Sequence, residues 1–271
     1  MLVALLAICS SLIDRGWAAT PGQNGAAGQD CASTKLSKAE WWYNWYVDPG
    51  CDAPGYVPMV SGRGRHTLGD VQWQADRAYS NGYRTLLGFN EPNQADQSPM
   101  TVETALDLWP ALTSRNDVTV GSPAVSGSNS GRDWLTAFMK GVAERNLRVD
   151  FIAAHFYGWD PGSCTAAALE SYLNGIKSVA GGRQIWVTEF GCLDKSNTDE
   201  PTVREFYQGA VQVMRQMGIQ RWAWYTPERN EALVADGRLT PLGEVFSMNS
   251  PQPSSTRWDL IPWKGHCCSR G

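Results

Sequence analysis

Two carboxylates standing where apolar runs end are the residues of this chain best placed to do chemistry. Glu91 closes the run in RTLLGFNEPN and Glu189 that in QIWVTEFGC, each at the point where a strand-like segment gives way to a loop. In a barrel enzyme catalytic groups sit there, because the loops after the strands gather on one face. Two carboxyl groups brought from separate strands to roughly 5–5.5 Å can cleave a glycosidic bond, one protonating the leaving oxygen and the other attacking the anomeric carbon. Taken singly, an acid at a strand end serves as readily as a structural partner for Arg or backbone donors. Two in matching positions favour the chemical reading.

Their neighbours extend it. Asn90 precedes Glu91, and a side-chain amide there can hold a sugar hydroxyl whose contact tightens in the transition state. Asn often begins turns, but Pro92 already turns this chain. His155 and Tyr157 alternate with Phe156, so both point one way, towards the lumen of a barrel or its mouth. A core histidine satisfied by backbone is the plainer alternative; a substrate or second-carboxylate contact is the expectation.

The elements that must carry these residues alternate between short β-rich runs and longer segments of helical period, the pattern of βα units around a parallel sheet. Eight strand candidates follow: 12–19, 40–46, 55–61, 84–90, 118–124, 150–158, 184–190 and 220–226. On that count Glu91 closes the fourth strand and Glu189 the seventh. Helical stripes run through Trp134, Leu135, Phe138, Met139 and Val142, through Leu169, Tyr172, Leu173, Ile176 and Val179, and through Val203, Phe206, Tyr207, Ala210, Val211 and Met214. The last begins near Pro201 and stops at Gly218. Pro110 predicts a kink or break in a helix over 102–112. The expectation is an α/β fold, a (β/α)8 TIM barrel with parallel strands and outer helices, over 12–247. A short signal-like segment (1–11) would precede it, and a tail of no assigned role (248–271) would follow.

Composition narrows the partners. The 271 residues, 42% of them hydrophobic, suffice for one barrel core. A net charge of -4 and a pI near 5.4 argue against phosphate, nucleic acid or an anionic membrane as partner. Thirteen Trp suit sugar, whose C–H faces match flat indoles, although most would serve in packing. The 61–67 stretch SGRGRHT lacks the third glycine of a dinucleotide fingerprint and the lysine of a P-loop. Arg63 and Arg65 therefore read as solvated or loop-bracing charges. Ser122 and Ser126 have no nucleophile-elbow context.

Seven Cys fit a core with one or two staples in an oxidising compartment. Cys31 with Cys51 and Cys164 with Cys192 are plausible pairs, free thiols being the alternative. No Cys or His spacing reads as a zinc site, so neither a structural metal nor a cofactor is expected. The apolar opening MLVALLAICS is too short to span a bilayer and resembles a signal-peptide core without its basic residues. An extracellular or cell-wall location, no membrane insertion and a monomeric state are the expectations.

WWYNWY, GFNEPN, HFYG, TEFG and WAWYTP, in this order over roughly 15–243, resemble glycoside hydrolase family 128. Singly these motifs occur in many barrel glycosidases; their set and order discriminate. The resemblance implies a (β/α)8 barrel that hydrolyses β-1,3-glucan, with the acid/base ending the fourth strand and the nucleophile ending the seventh. GFNEPN carries the acid/base role to Glu91 and TEFG the nucleophile role to Glu189. YNW makes Asn44 and Trp45 expected sugar contacts, and WAWYTP does so for Trp224. The implied reaction is double displacement, with endo action expected on a β-glucan polysaccharide or oligosaccharide. The alternatives are a barrel glycosidase for another β-linked polymer, such as mannan or xylan, and a non-catalytic glucan-binding or wall-associated protein using the same aromatic cleft.

Overall fold

The computed structural model describes residues 22–52, 54–64, 66–160, 162–193, 199–227 and 230–250. Parallel strands β1 (Gln23–Ala27), β2 (Trp41–Tyr43), β3 (Thr85–Leu86), β4 (Thr119–Val120), β5 (Phe151–Tyr157), β6 (Gln184–Gly191) and β7 (Arg221–Tyr225) form the interior. Around them lie α1 (Cys31–Ser37), α2 (Leu68–Ser80), α3 (Val102–Leu112), α4 (Asn129–Glu144), α5 (Ala166–Ala180), α6 (Glu200–Gln216) and α7 (Pro241–Asn249). A small antiparallel hairpin, β8 (Val234–Ala235) and β9 (Arg238–Leu239), precedes α7.

One ladder runs β2-β1-β7-β6-β5. Parallel bridges carry the pairing onward, from Phe151 to Gly121 on the β4 side, and from Leu87 beyond β3 to Met59. A further bridge joins Tyr56 to Trp42 on β2. The extended residues 56–61 therefore occupy the third position, and the succession of pairs returns to its starting strand. This is the parallel α/β architecture of a TIM-type barrel, with helices outside, as the alternation of patterns predicts.

The strand expected at 12–19 lies outside the described residues, as do 1–11 and the tail beyond 250. The place between β2 and β7 is filled instead by β1, whose sequence QNGAA has no large apolar residue. Its glycine makes room rather than filling it: a Cβ on Gly25 would overlap the Trp41 indole. Hydrophobic patterning cannot find a strand whose neighbours supply the bulk. Asn24 anchors it, its Oδ1 accepting from Trp222 Nε1 (2.9 Å) and Tyr207 Oη (3.1 Å) while its Nδ2 donates to the Phe246 carbonyl (3.2 Å). One buried amide thus ties β1 to β7, α6 and α7.

The helical stripes face inward as expected. Leu135, Phe138 and Val142 of α4, Leu169, Leu173 and Ile176 of α5, and all six residues named on α6 are buried. Trp134, Met139, Tyr172 and Val179 pack against the same core at its edge. Asp199 caps α6 through Thr202 N, and Gly218 stands just beyond its end at φ 71°. Of the kink or break expected at Pro110, the break does not occur: α3 runs unbroken to Leu112. The proline falls in the last turn, where only one ladder bond is lost. Burial of Leu106, Leu108, Trp109 and Leu112 on that helix outweighs it.

Both plausible cysteine pairs are disulfides. Cys31–Cys51 (Cα–Cα 6.4 Å) ties α1 to the loop after β2, and Cys164–Cys192 (Cα–Cα 5.4 Å) ties the loops after β5 and β6 together. After β2 the chain reaches the third position through a stapled loop, with no helix among its described residues.

Candidate active site

The site forms where the C-terminal ends of these strands meet. Glu189 lies on β6 and Glu91 directly after the extended run that follows β3. Strict alternation along β6 would send Glu189 to the face opposite Trp186, three residues earlier. Trp186 is inside the barrel, stacked on Phe151 (centroids 4.0 Å) and against Trp41. A bulge resolves the conflict: Val187 pairs with Ala154 and Glu189 with His155, so Thr188 is the extra residue. The register against β7 shifts over the same stretch. Glu189 thereby joins Trp186 on the inner face.

Glu189 is buried and surrounded by donors. Its Oε1 accepts from Tyr43 Oη (2.8 Å) and from Trp45 Nε1 (2.8 Å), and its Oε2 accepts a short hydrogen bond from Tyr157 Oη. Three neutral donors aimed at one carboxylate fix its rotamer and its aim. Burial above all, and then the charge of Glu189, pushes both the Tyr43 and the Tyr157 hydroxyls well above the ordinary tyrosine value, so both remain protonated donors.

Glu91 is approached from one side by His155, whose Nδ1 lies 2.8 Å from Glu91 Oε1 and 3.5 Å from Glu189 Oε2. The imidazole is fully buried. Burial alone would push it down, but Glu189 and Glu91 together outweigh that and hold it above the ordinary histidine value. Glu91 itself sits in the left-handed region at φ 43°, and Trp45 likewise at φ 67°. For non-glycine residues that conformation costs about 1 kcal/mol and persists only where surroundings impose it. At Glu91 they do, its N–H donating to the Ala124 carbonyl (2.7 Å) and its own carbonyl accepting from Gln94 N (2.9 Å).

The two acids open into a cleft of about 540 Å³ whose lining includes Trp45, Asn90, Tyr157, Trp159, Tyr225 and Pro227, with Gln94, Gln97 and Ser126 on a polar side. Asn90 is buried, its Nδ2 3.3 Å from Gln97 Oε1, and its Oδ1 meets no donor among the described residues. Gly28 makes space for the indole wall: at φ 82° it lies so close that a Cβ would stand 2.6 Å from the Trp45 ring.

Of the residues expected at the site, Glu91, Glu189, Asn90, His155, Tyr157 and Trp45 come together here. Asn44 and Trp224 do not. Asn44 is used by its own loop, its Oδ1 accepting from Tyr56 Oη (2.5 Å) and its Nδ2 reaching the Pro49 carbonyl (3.4 Å). It shapes the turn that presents Trp45. Trp224 is fully buried on the outer face of β7, packed on Phe190, Phe206 and Tyr207, with Nε1 donating to the Glu231 carbonyl (2.8 Å). Alternation explains the miss: on β7 the next residue, Tyr225, faces the cleft, in edge contact with Trp45 and Tyr157. Arg63, read as a solvated or loop-bracing charge, is an exposed loop residue that also lines the cleft, while Arg65 lies outside the described residues. Tyr43 escaped notice because it reads as one aromatic among several in WWYNWY; its parity with Trp41 was the available signal.

Glu91, His155 and Glu189 each offer a ligand atom within 4.8 Å of the others, a spacing that could hold a cation. The donors around Glu189 argue otherwise. Its oxygens already receive two O–H groups and an N–H, whose positive ends occupy the directions a metal would need. The arrangement instead suits two carboxyl groups acting on a neutral substrate, one ionised and one able to exchange a proton.

The chain is similar to known proteins over most of its length. Residues 16–246 match the family described as glycosyl hydrolase catalytic core. Alkali-sensitive linkage protein 1 of Schizosaccharomyces pombe is 28% identical over 251 residues; the match takes in 86% of this chain but only 44% of that protein. A family 128 (subgroup I) endo-β-1,3-glucanase from Amycolatopsis mediterranei, solved with laminaritriose, is 32% identical at a TM-score of 0.70, over 83% of this chain and 98% of that one. A family 128 (subgroup III) curdlan-specific exo-β-1,3-glucanase from Blastomyces gilchristii, solved with glucose, is 28% identical at a TM-score of 0.69, over 84% of this chain and 99% of that one.

Proposed function

We propose that this protein, which belongs to the glycosyl hydrolase catalytic core family and within it to glycoside hydrolase family 128, cleaves β-1,3-glucan by double displacement. One observation carries the mechanism: Glu91 and Glu189 present carboxyl oxygens within 4.8 Å of each other. So close an approach favours the roughly 5–5.5 Å carboxyl separation of retaining enzymes over the roughly 6.5–9.5 Å that an inverting pair needs to admit a water.

In this reading Glu189, held in place by hydrogen bonds from Tyr43, Trp45 and Tyr157, attacks the anomeric carbon while Glu91 gives a proton to the departing oxygen. The C–O bond to the leaving sugar breaks as the Glu189–sugar ester forms. Glu91, now ionised, takes a proton from the water that attacks the ester, which restores both groups. As the ester forms, Glu189 loses its charge and its donors lose an anionic acceptor. His155 keeps its contact with Glu91 through both steps and steadies the ionised form. Asn90, through its unpartnered Oδ1, takes a sugar hydroxyl, and Trp45 with Tyr225 forms a wall for the ring.

Endo action is our reading of the cleft, which continues past Trp45, Ser61 and Arg63 into a second groove and so suits a chain held along its length. Two disulfides favour an oxidising, extracellular or wall-facing place of action. The test is reducing-end release from linear β-1,3-glucan, β-mannan and xylan by the wild type, Glu91→Gln and Glu189→Gln. Release from β-1,3-glucan alone, reduced at least about a thousandfold in both variants, is the expected result. A spread of oligosaccharides early in the reaction marks endo cleavage, and a single small product marks exo. Glucan binding without turnover by the folded wild type would make the cleft a binding site only.

A further inference from the structure

The second groove, of about 500 Å³, lies beside the catalytic cleft and shares Trp45, Ser61 and Arg63 with it. Two of its other walls are Tyr46 and Trp73, whose surfaces are 66% and 62% exposed. A single exposed aromatic is ordinary, but two lining one groove make an apolar patch of the kind that marks a binding surface. These two come from different elements, Tyr46 from the loop after β2 and Trp73 from α2.

Both are held on a braced scaffold. Asp48, two residues past Tyr46, pairs with Arg77 of α2 and accepts from Asn81 Nδ2 (2.7 Å), which fastens the loop to the helix that bears Trp73. The Tyr46 carbonyl accepts from Tyr56 Oη (2.6 Å) and from Met59 N (2.9 Å), and Cys51 is bonded to Cys31. The rings are thus presented by backbone fixed at three points, which lowers the ordering cost of binding.

We infer that this groove is an outlying set of sugar subsites, in which Tyr46 and Trp73 stack on glucose rings of the same β-glucan chain that lies across Glu91 and Glu189. The groove's continuity with the cleft through Trp45, Ser61 and Arg63 selects a polysaccharide as occupant. A glucose ring presents an apolar C–H face that matches an aromatic ring and hydroxyl edges that match Asp48 and Gln74, also in the lining. This assignment rests on the glucan reading above and adds a determinant of chain length: short substrates bridge the acids without reaching the groove, and long ones use it.

The test compares the wild type, Trp73→Ala and Tyr46→Ala on laminaritriose, laminarihexaose and long linear β-1,3-glucan. Both residues are exposed on the surface, and a thermal melt checks that each variant is folded. In each variant kcat/KM for the long substrates is expected to fall about 5- to 20-fold, mainly through KM, with laminaritriose turnover within about twofold of wild type. Equal losses at every chain length, or none at any, overturn the assignment. Calorimetric titration with laminarihexaose at low temperature separates this proposal from the one it rests on. A wild type that binds without hydrolysing, with weaker binding by Trp73→Ala, supports the groove and removes the catalytic reading. A wild type that hydrolyses, with hexaose affinity unchanged in Trp73→Ala, removes the groove alone. No binding and no hydrolysis by the wild type removes both.

Discussion

Tyr157 and His155 touch the two acids from the same strand, and their roles differ in kind. Tyr157 donates directly to Glu189, so Tyr157→Phe keeps the ring against Trp159 and Tyr225 while deleting one of three donors. Loss of one hydrogen bond to a charged group, about 1.5–3 kcal/mol, should lower kcat/KM roughly 10- to 100-fold with little change in Tm, read by steady-state kinetics and a thermal melt. His155 is instead a titrating partner. Its folded-state value is raised, so its contribution to stability is present in full below the ordinary imidazole value of 6.5 and is lost as pH rises through the raised value. The Tm difference between wild type and His155→Gln is therefore expected to be larger at pH 6 than at pH 9. A difference that is flat or grows with pH would mean that the imidazole is buried neutral.

At the scale of elements, the loops after β5 and β6 decide how well the two acids are aimed. The Cys164–Cys192 disulfide joins them, Cys192 lying three residues beyond Glu189 and Cys164 against Gly158, next to Tyr157. Closing a loop with a sequence separation of 28 stabilises by roughly 3–4 kcal/mol in the chain-entropy account. Replacing both cysteines by serine should lower Tm by several degrees and raise KM, because Trp159 and Tyr157 lose the tether behind them. Unchanged kinetics in a destabilised variant would confine the bond to a folding role. The β6 bulge at Thr188 works at the same scale, since it alone turns Glu189 inward. No pattern of residue types in TEFG announces it.

Across the whole molecule, closure depends on β1 fitting between β2 and β7, and Asn24 is where that fit is fastened. Asn24→Leu would leave Trp222 Nε1 and Tyr207 Oη, both buried, without their acceptor. The expected cost is roughly 2–4 kcal/mol, a fall in Tm of about 5–10 °C, with kcat of the folded fraction close to wild type because the cleft lies at the other ends of the strands. A melt together with active-site titration checks both halves of that statement.

The two acids, their strand-end setting and the outer helices were legible in the residues because each rests on local chemistry: apolar runs of period two, stripes of period 3.6, and carboxylates at the boundary. Of the eight expected site residues, Glu91, Glu189, Asn90, His155 and Tyr157 needed no more than that, whereas Trp45 came from the family resemblance of YNW. The first strand did not show itself, because QNGAA is small where Trp41 and Trp222 are large, and such complementarity exists only between elements. Side-chain direction was likewise a tertiary decision. A one-residue bulge on β6 and the parity of β7 turned Glu189 in, turned Trp224 out and gave its place to Tyr225. Residue type is written locally, whereas the face that a residue presents depends on register against neighbouring strands, which packing of the closed barrel sets.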